Sequence, residues 1–169
     1  MYKFLLLLSL LFFSNLHAYE SEDKLKAIII GKVSKFISWE ENTQDEFVIT
    51  VLKDPFNGLL EKIYSKKKIK SKKVKIVYID NINELKFTNI LYIPNSESSN
   101  LHKILQKIKN KNILTVSDIR GFAEKKGTMQ IYFASQKIKL KINLDTAKED
   151  KLQIKSSLLR IATVIREEQ

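Results

Sequence analysis

The apolar positions change period several times along this chain, and each change marks an element. From Glu20 to Glu41, Leu25, Ile28, Ile29, Val33, Phe36 and Ile37 recur at helical spacing. Acids at Glu20, Glu22 and Asp23 stand near the start, where the helix dipole favours them. Gly31 weakens the helix or admits another element, and Trp39 is a large anchor near its end. The period then collapses into a continuous run, Phe47 to Leu52, as expected of a strand covered on both faces. Asp54-Pro55 stops it, and Phe56 to Tyr64 predicts a short helix. Val74 to Asp80, Asn89 to Ile93 and Ile113 to Val116 predict three more strands. Between the last two, Leu101, Ile104, Leu105 and Ile108 share one helical face. Ile119 to Lys126 predicts one or two helical turns.

Beyond Gly127 the pattern alternates. Two period-2 runs flank Ala134 to Gln136, which is a hairpin signal. In the second run Ile138, Leu140, Ile142 and Leu144 face inward, and Lys137, Lys139, Lys141 and Asn143 outward. Ser156 and Ser157 stand at the N-cap of a predicted closing helix that buries Leu158, Leu159, Ile161, Ala162 and Ile165. The order predicts an α/β fold: a single three-layer domain with a mixed, mostly parallel sheet, a C-terminal antiparallel hairpin and a closing helix.

Composition changes this picture in three ways. First, residues 1–18 carry one lysine, an apolar run from Phe4 to Phe13 and a small residue at Ala18, the shape of a secretory signal peptide; the domain is then 19–169 and the protein exported. Second, the 169 residues include no cysteine, which excludes disulfides, thiolate metal sites and cysteine nucleophiles. Third, 30 Lys+Arg oppose 19 Asp+Glu, a net charge of +11. Only Arg120, Arg160 and Arg166 are arginines, which argues against nucleic acid, where bidentate contacts prefer arginine. Lys66, Lys67, Lys68, Lys70, Lys72 and Lys73 form a dense run with two readings: an anionic-surface contact, including weak attachment to a membrane, or a lysine-guarded edge strand.

Catalytic signatures are absent. There is no G-x-G-x-x-G, Walker or HExxH motif, and His102 is the one histidine of the expected mature chain. A serine hydrolase needs a base beside its nucleophile, and nothing favours a carboxylate pair such as Asp118 with Glu124. The reading is no enzyme, no catalytic residue, no cofactor and no metal. Two acids remain of interest. Asp54 and Ser117-Asp118 succeed the carboxyl ends of predicted strands, where α/β sheets form crevices. Each acid either caps the next helix or lines a common groove.

The blocks LKAIIIGKVSKFISW, FVITVLKDPF, ILTVSDIRGFAEKKGTMQIYF and KIKLKINLDTAKEDKLQIKSSLLRIA together resemble the YfiR-like family of periplasmic proteins, over about residues 24–163. The specific part is Ser117, Asp118, Phe122, Gly127, Asn143, Leu144, Ala147, Leu152, Ile154, Ser156, Leu158 and Leu159. The resemblance implies a periplasmic regulator that binds and represses the periplasmic sensor domain of an inner-membrane signalling protein, a diguanylate cyclase, and so controls cyclic di-GMP and biofilm. Homodimers are common in that family. With the crevice argument, it makes Asp54, Phe56, Ser117, Asp118, Phe122, Asn143 and Ser156 the candidate ligand or partner contacts. The chain departs from the family's pattern at Lys151, where a glycine is usual, at Lys155, where a serine is usual, and in lacking the disulfides that tune well-known members. The alternative function is a periplasmic small-molecule-binding module serving a sensor kinase or transporter, through the Asp54/Asp118 crevice and the lysine run.

Overall fold

A computed structural model describes residues 22–40, 44–135 and 137–166, so the predicted signal segment lies outside the described residues. Helix α1 covers 22–32. It ends where Ser34 Oγ donates 2.5 Å back to the Gly31 carbonyl, and a 3-10 turn, Val33–Phe36, leads into strand β1, Ile37–Trp39. The long predicted helix is thus cut after its first half. Trp39 sits on a strand, its indole N–H donating to Asn89 O at 3.1 Å and its ring edge-on to Phe47.

The main sheet contains β2 (Glu46–Leu52), β3 (Lys68–Ile69), β4 (Lys72–Ile79), β5 (Ile90–Ile93), β6 (Leu114–Ser117), β7 (Met129–Ala134), β8 (Lys137–Asn143) and β10 (Thr163–Ile165), in the order β10-β8-β7-β6-β5-β2-β4-β3. β2, β4, β5, β6 and β7 are mutually parallel neighbours, while the β7–β8 and β3–β4 hairpins are antiparallel. The mixed, mostly parallel sheet and the C-terminal hairpin are as predicted. Apart from it, β1 pairs antiparallel with β9 (Leu152–Ile154).

Successive residues of a strand point to opposite faces, and both faces here are covered. Phe47, Ile49, Val51, Ile90 and Tyr92 join Ala27 and Ile30 of α1 and Leu60 and Tyr64 of α2 (Leu59–Tyr64) in one core. Leu52, Leu91 and Ile93 join Leu101, Ile104 and Ile108 of α3 (Leu101–Ile108) in the other. These are the three layers.

The closing helix is corrected. Only α5, Ser156–Leu159, is helical, and the chain then runs parallel to β8 as β10. Ile161, Thr163, Val164 and Ile165 are β-branched, which weakens a helix, and the open edge of β8 offers them backbone partners. Ile161, expected inside, is 71 % exposed. Residues 120–126 form turns, with Gly121 at φ 75°, rather than regular helix.

Candidate functional site

At the carboxyl end of β6, Ser117 is fully buried and its Oγ accepts the Ile119 N–H at 3.0 Å, turning the chain. Asp118 reaches across to α1, where its Oδ2 accepts from Lys26 Nζ at 2.9 Å. Asp23, one turn earlier, lies 3.5 Å from the same ammonium. Burial pushes the Lys26 ammonium down, but its bond to Asp118 and the charges of Asp118 and Asp23 outweigh this and hold it above the usual lysine value. The two side chains of the Lys26–Asp118 pair are only 14 % and 19 % exposed, and Asp118 Oδ1 is buried without a partner. Lys26→Met therefore strands a shielded carboxylate and should cost about 1–3 kcal/mol. Denaturant unfolding checks this, with Lys26→Met/Asp118→Asn recovering most of the loss. Glu124, the other acid considered with Asp118, is bound by Lys141 at 2.5 Å.

Asp54 caps the turn it begins. Its Oδ1 accepts the Phe56 N–H at 3.0 Å and its Oδ2 the Gly58 N–H at 2.8 Å. Phe56 is buried, its ring 4.8 Å from that of Tyr92. A crevice does open at the carboxyl ends of the strands, where the sheet order reverses between β2 and β5, as α/β topology requires. It holds about 300 Å³ and is lined by Lys53, Asp80, Asn81, Glu97, Asn100 and Lys103 among others, with neither Asp54 nor Asp118 in its wall.

The remaining motif residues hold one another. Phe122 has no exposure, and Gly127 packs against its ring so closely that a Cβ would stand 2.2 Å from a ring carbon. Asn143, expected to face outward, is 2 % exposed. The strand ends there, and its Oδ1 accepts the N–H groups of Asp145 and Thr146 at the start of α4 (Leu144–Glu149) while its Nδ2 donates to Ala123 O. Leu144, expected to continue the inward stripe of the strand, is already the first residue of that helix. Ser156 is exposed at the start of α5 and its side chain makes no cap. Lys151 adopts φ 54°, a left-handed conformation that explains why a glycine suits this position.

Asp150 is a site residue that the sequence pattern does not reveal, because it sits in the highly charged run KEDK. It is 6 % exposed, and its Oδ1 accepts the Asn110 N–H at 2.9 Å, fixing the loop between α3 and β6. Burial is the main cause that pushes its carboxyl from 3.8 up to about 6. It lines a cavity of about 210 Å³ together with His102, Lys125 and Thr146, whose buried Oγ1 has no partner. Because the folded state binds this proton more tightly than the unfolded chain, the contribution of Asp150 to stability is present below about pH 4 and lost as pH rises through about 6. Asp150→Asn should raise Tm by a few degrees at alkaline pH and remove that slope, as thermal melts across the window would read.

Of the lysine run, Lys67, Lys68 and Lys70 line one groove, joined from the α1 end by Lys32 and Lys35, which sequence spacing alone does not connect to them. Lys66, Lys72 and Lys73 lie outside its wall, and Lys72 donates to Gln44 O. Among the described residues no group of three or more His, Cys, Asp or Glu could hold a metal, and no helix is long and apolar enough to cross a membrane.

What these residues define is a single three-layer α/β domain whose motif side chains mostly tie its own turns and helix starts together. The family model described as YfiR/HmsC-like matches residues 23–163, and the chain belongs to that family. No curated protein matches it.

Proposed function

We propose that this protein is a non-enzymatic periplasmic regulator that binds and represses the periplasmic sensor domain of an inner-membrane signalling protein, with a diguanylate cyclase as the partner. Family membership over residues 23–163 is the observation that carries the reading. Its physical logic is a shifted equilibrium: the regulator binds the inactive state of the receptor better than the active one. Holding an evenly balanced receptor about 99 % inactive takes about 2.7 kcal/mol of differential binding. These 169 residues hold no cysteine, so no disulfide within them gates release. Cross-linking tagged protein in intact cells tests the reading. The expected product is a membrane protein with a periplasmic sensor and a cytoplasmic cyclase domain; recovery of soluble periplasmic proteins alone would count against it.

The crevice at the reversal of strand order supports a second reading, a small-molecule-binding module serving a sensor kinase or transporter. A thermal-shift screen of amino acids and nucleotides, repeated on Lys103→Ala, separates the two, since a screen without shifts leaves only the first.

A further inference from the structure

The groove between the end of α1 and the β3–β4 hairpin holds about 400 Å³ and receives five lysines, Lys32, Lys35, Lys67, Lys68 and Lys70, with no carboxylate in its wall. We propose that it binds an anion carrying two or more phosphate groups, such as a polyphosphate ester or clustered lipid phosphates.

Elsewhere on this basic surface some of the lysines are paired with acids. Lys53, Lys75, Lys109, Lys148 and Lys151 each lie within 4 Å of an acid. Among the described residues, none of the five groove lysines makes an ion pair. The charge there is also mutually opposed: burial and the nearby Lys155 both hold the Lys70 ammonium below the usual lysine value. A multivalent anion relieves this repulsion at several points at once.

The groove is held in shape. Gly31 has no Cβ, and one placed there would stand 2.3 Å from the Tyr64 ring. The bare backbone lets that ring lie on α1, where its hydroxyl donates to Ile28 O at 2.7 Å. This fixes Lys32 and Lys35 opposite the hairpin. Lys67 Nζ sits 5.3 Å above the centre of the same ring. The hairpin turn itself is left-handed at both Lys70 and Ser71, with φ 52° and 65°, in a position that usually takes Asn or Gly. Lysines suit separated phosphates because each ammonium is a rotatable point charge, whereas an arginine fork fixes one bidentate geometry. Tyr64 and Ile69 give the floor an apolar surface for the part of the ligand between its phosphates.

Isothermal titration of the purified protein with inorganic tripolyphosphate tests the proposal, beside flotation with phosphatidylglycerol and phosphatidylcholine vesicles. Saturable binding that weakens with salt is expected, with affinity falling about tenfold or more in Lys32→Gln/Lys67→Gln. A control with the same loss of charge outside the groove, Lys111→Gln/Lys139→Gln, should stay within about twofold of wild type. All four lysines are exposed, so melting temperatures should remain close to wild type. Vesicle binding that depends on phosphatidylglycerol and is lost in the groove variant makes lipid phosphate the source, while tripolyphosphate binding without vesicle binding makes it a soluble ester. No saturable binding to either probe, or an equal loss in both double variants, would overturn the proposal.

Discussion

Gly127→Ala should lower Tm by roughly 6–12 °C, the equivalent of about 3 kcal/mol in a chain of this size. The added methyl group meets three atoms of the Phe122 ring at 2.2–2.4 Å, far inside van der Waals contact. The ring has no room to retreat, since Phe122 is fully buried in the core beneath α3. Nor can the backbone easily move away, because the Gly127 N–H donates to Phe122 O at 2.9 Å. Gly121→Ala is the informative comparison. There a Cβ meets only the end of Lys125, at 3.9 Å, so the loss is the conformational strain of φ 75°, about 1 kcal/mol. A cycle with Phe122→Leu separates packing from backbone effects. If ring contact is the cause, Gly127→Ala/Phe122→Leu is more stable than the two single losses predict, whereas simple additivity would place the damage in the backbone.

Asn143→Ala should cost about 3 kcal/mol, measured by denaturant unfolding. One amide holds three buried or half-buried backbone groups: the N–H groups of Asp145 and Thr146, at 3.1 and 2.9 Å, and the carbonyl of Ala123, at 2.9 Å. Losing the cap alone is worth about 1 kcal/mol, and stranding the Ala123 carbonyl away from water adds a desolvation penalty of about 1–3 kcal/mol. Asn143→Asp divides the two. It keeps the acceptor but turns a second oxygen toward the Ala123 carbonyl, and its protonated form restores a donor there. The folded state therefore favours the proton, and this variant should regain stability as pH falls. A loss independent of pH would show that the Ala123 bond matters little.

The strands were legible because their signal is local. The apolar run Phe47–Leu52 and the alternation on both sides of Ser135 each determine a period without reference to the rest of the chain. The closing helix failed for a tertiary reason: residues 163–165 satisfy helical spacing as sequence, but the free edge of β8 gives their backbone a better partner. Period-2 alternation points Asn143 outward, and it does not foresee that the strand ends there and that the amide is needed as a cap. Among the candidate site residues, Asp54 and Ser117 are capping groups, Phe56 and Phe122 are core, and Asp118 is bound to Lys26. The distances that made this clear join positions far apart in sequence. For the same reason Lys32 and Lys35 could not be assigned to the lysine run, since Gly31 and Tyr64 bring them to it.

The motif residues thus explain how the domain stays folded, and the claim that it represses a membrane cyclase rests on its family. Cellular cyclic di-GMP, measured with the gene deleted and then restored, tests that claim most directly. The account predicts a rise on deletion that the wild-type gene reverses. An unchanged level in the deletion strain, under conditions where the protein is normally made, would contradict it.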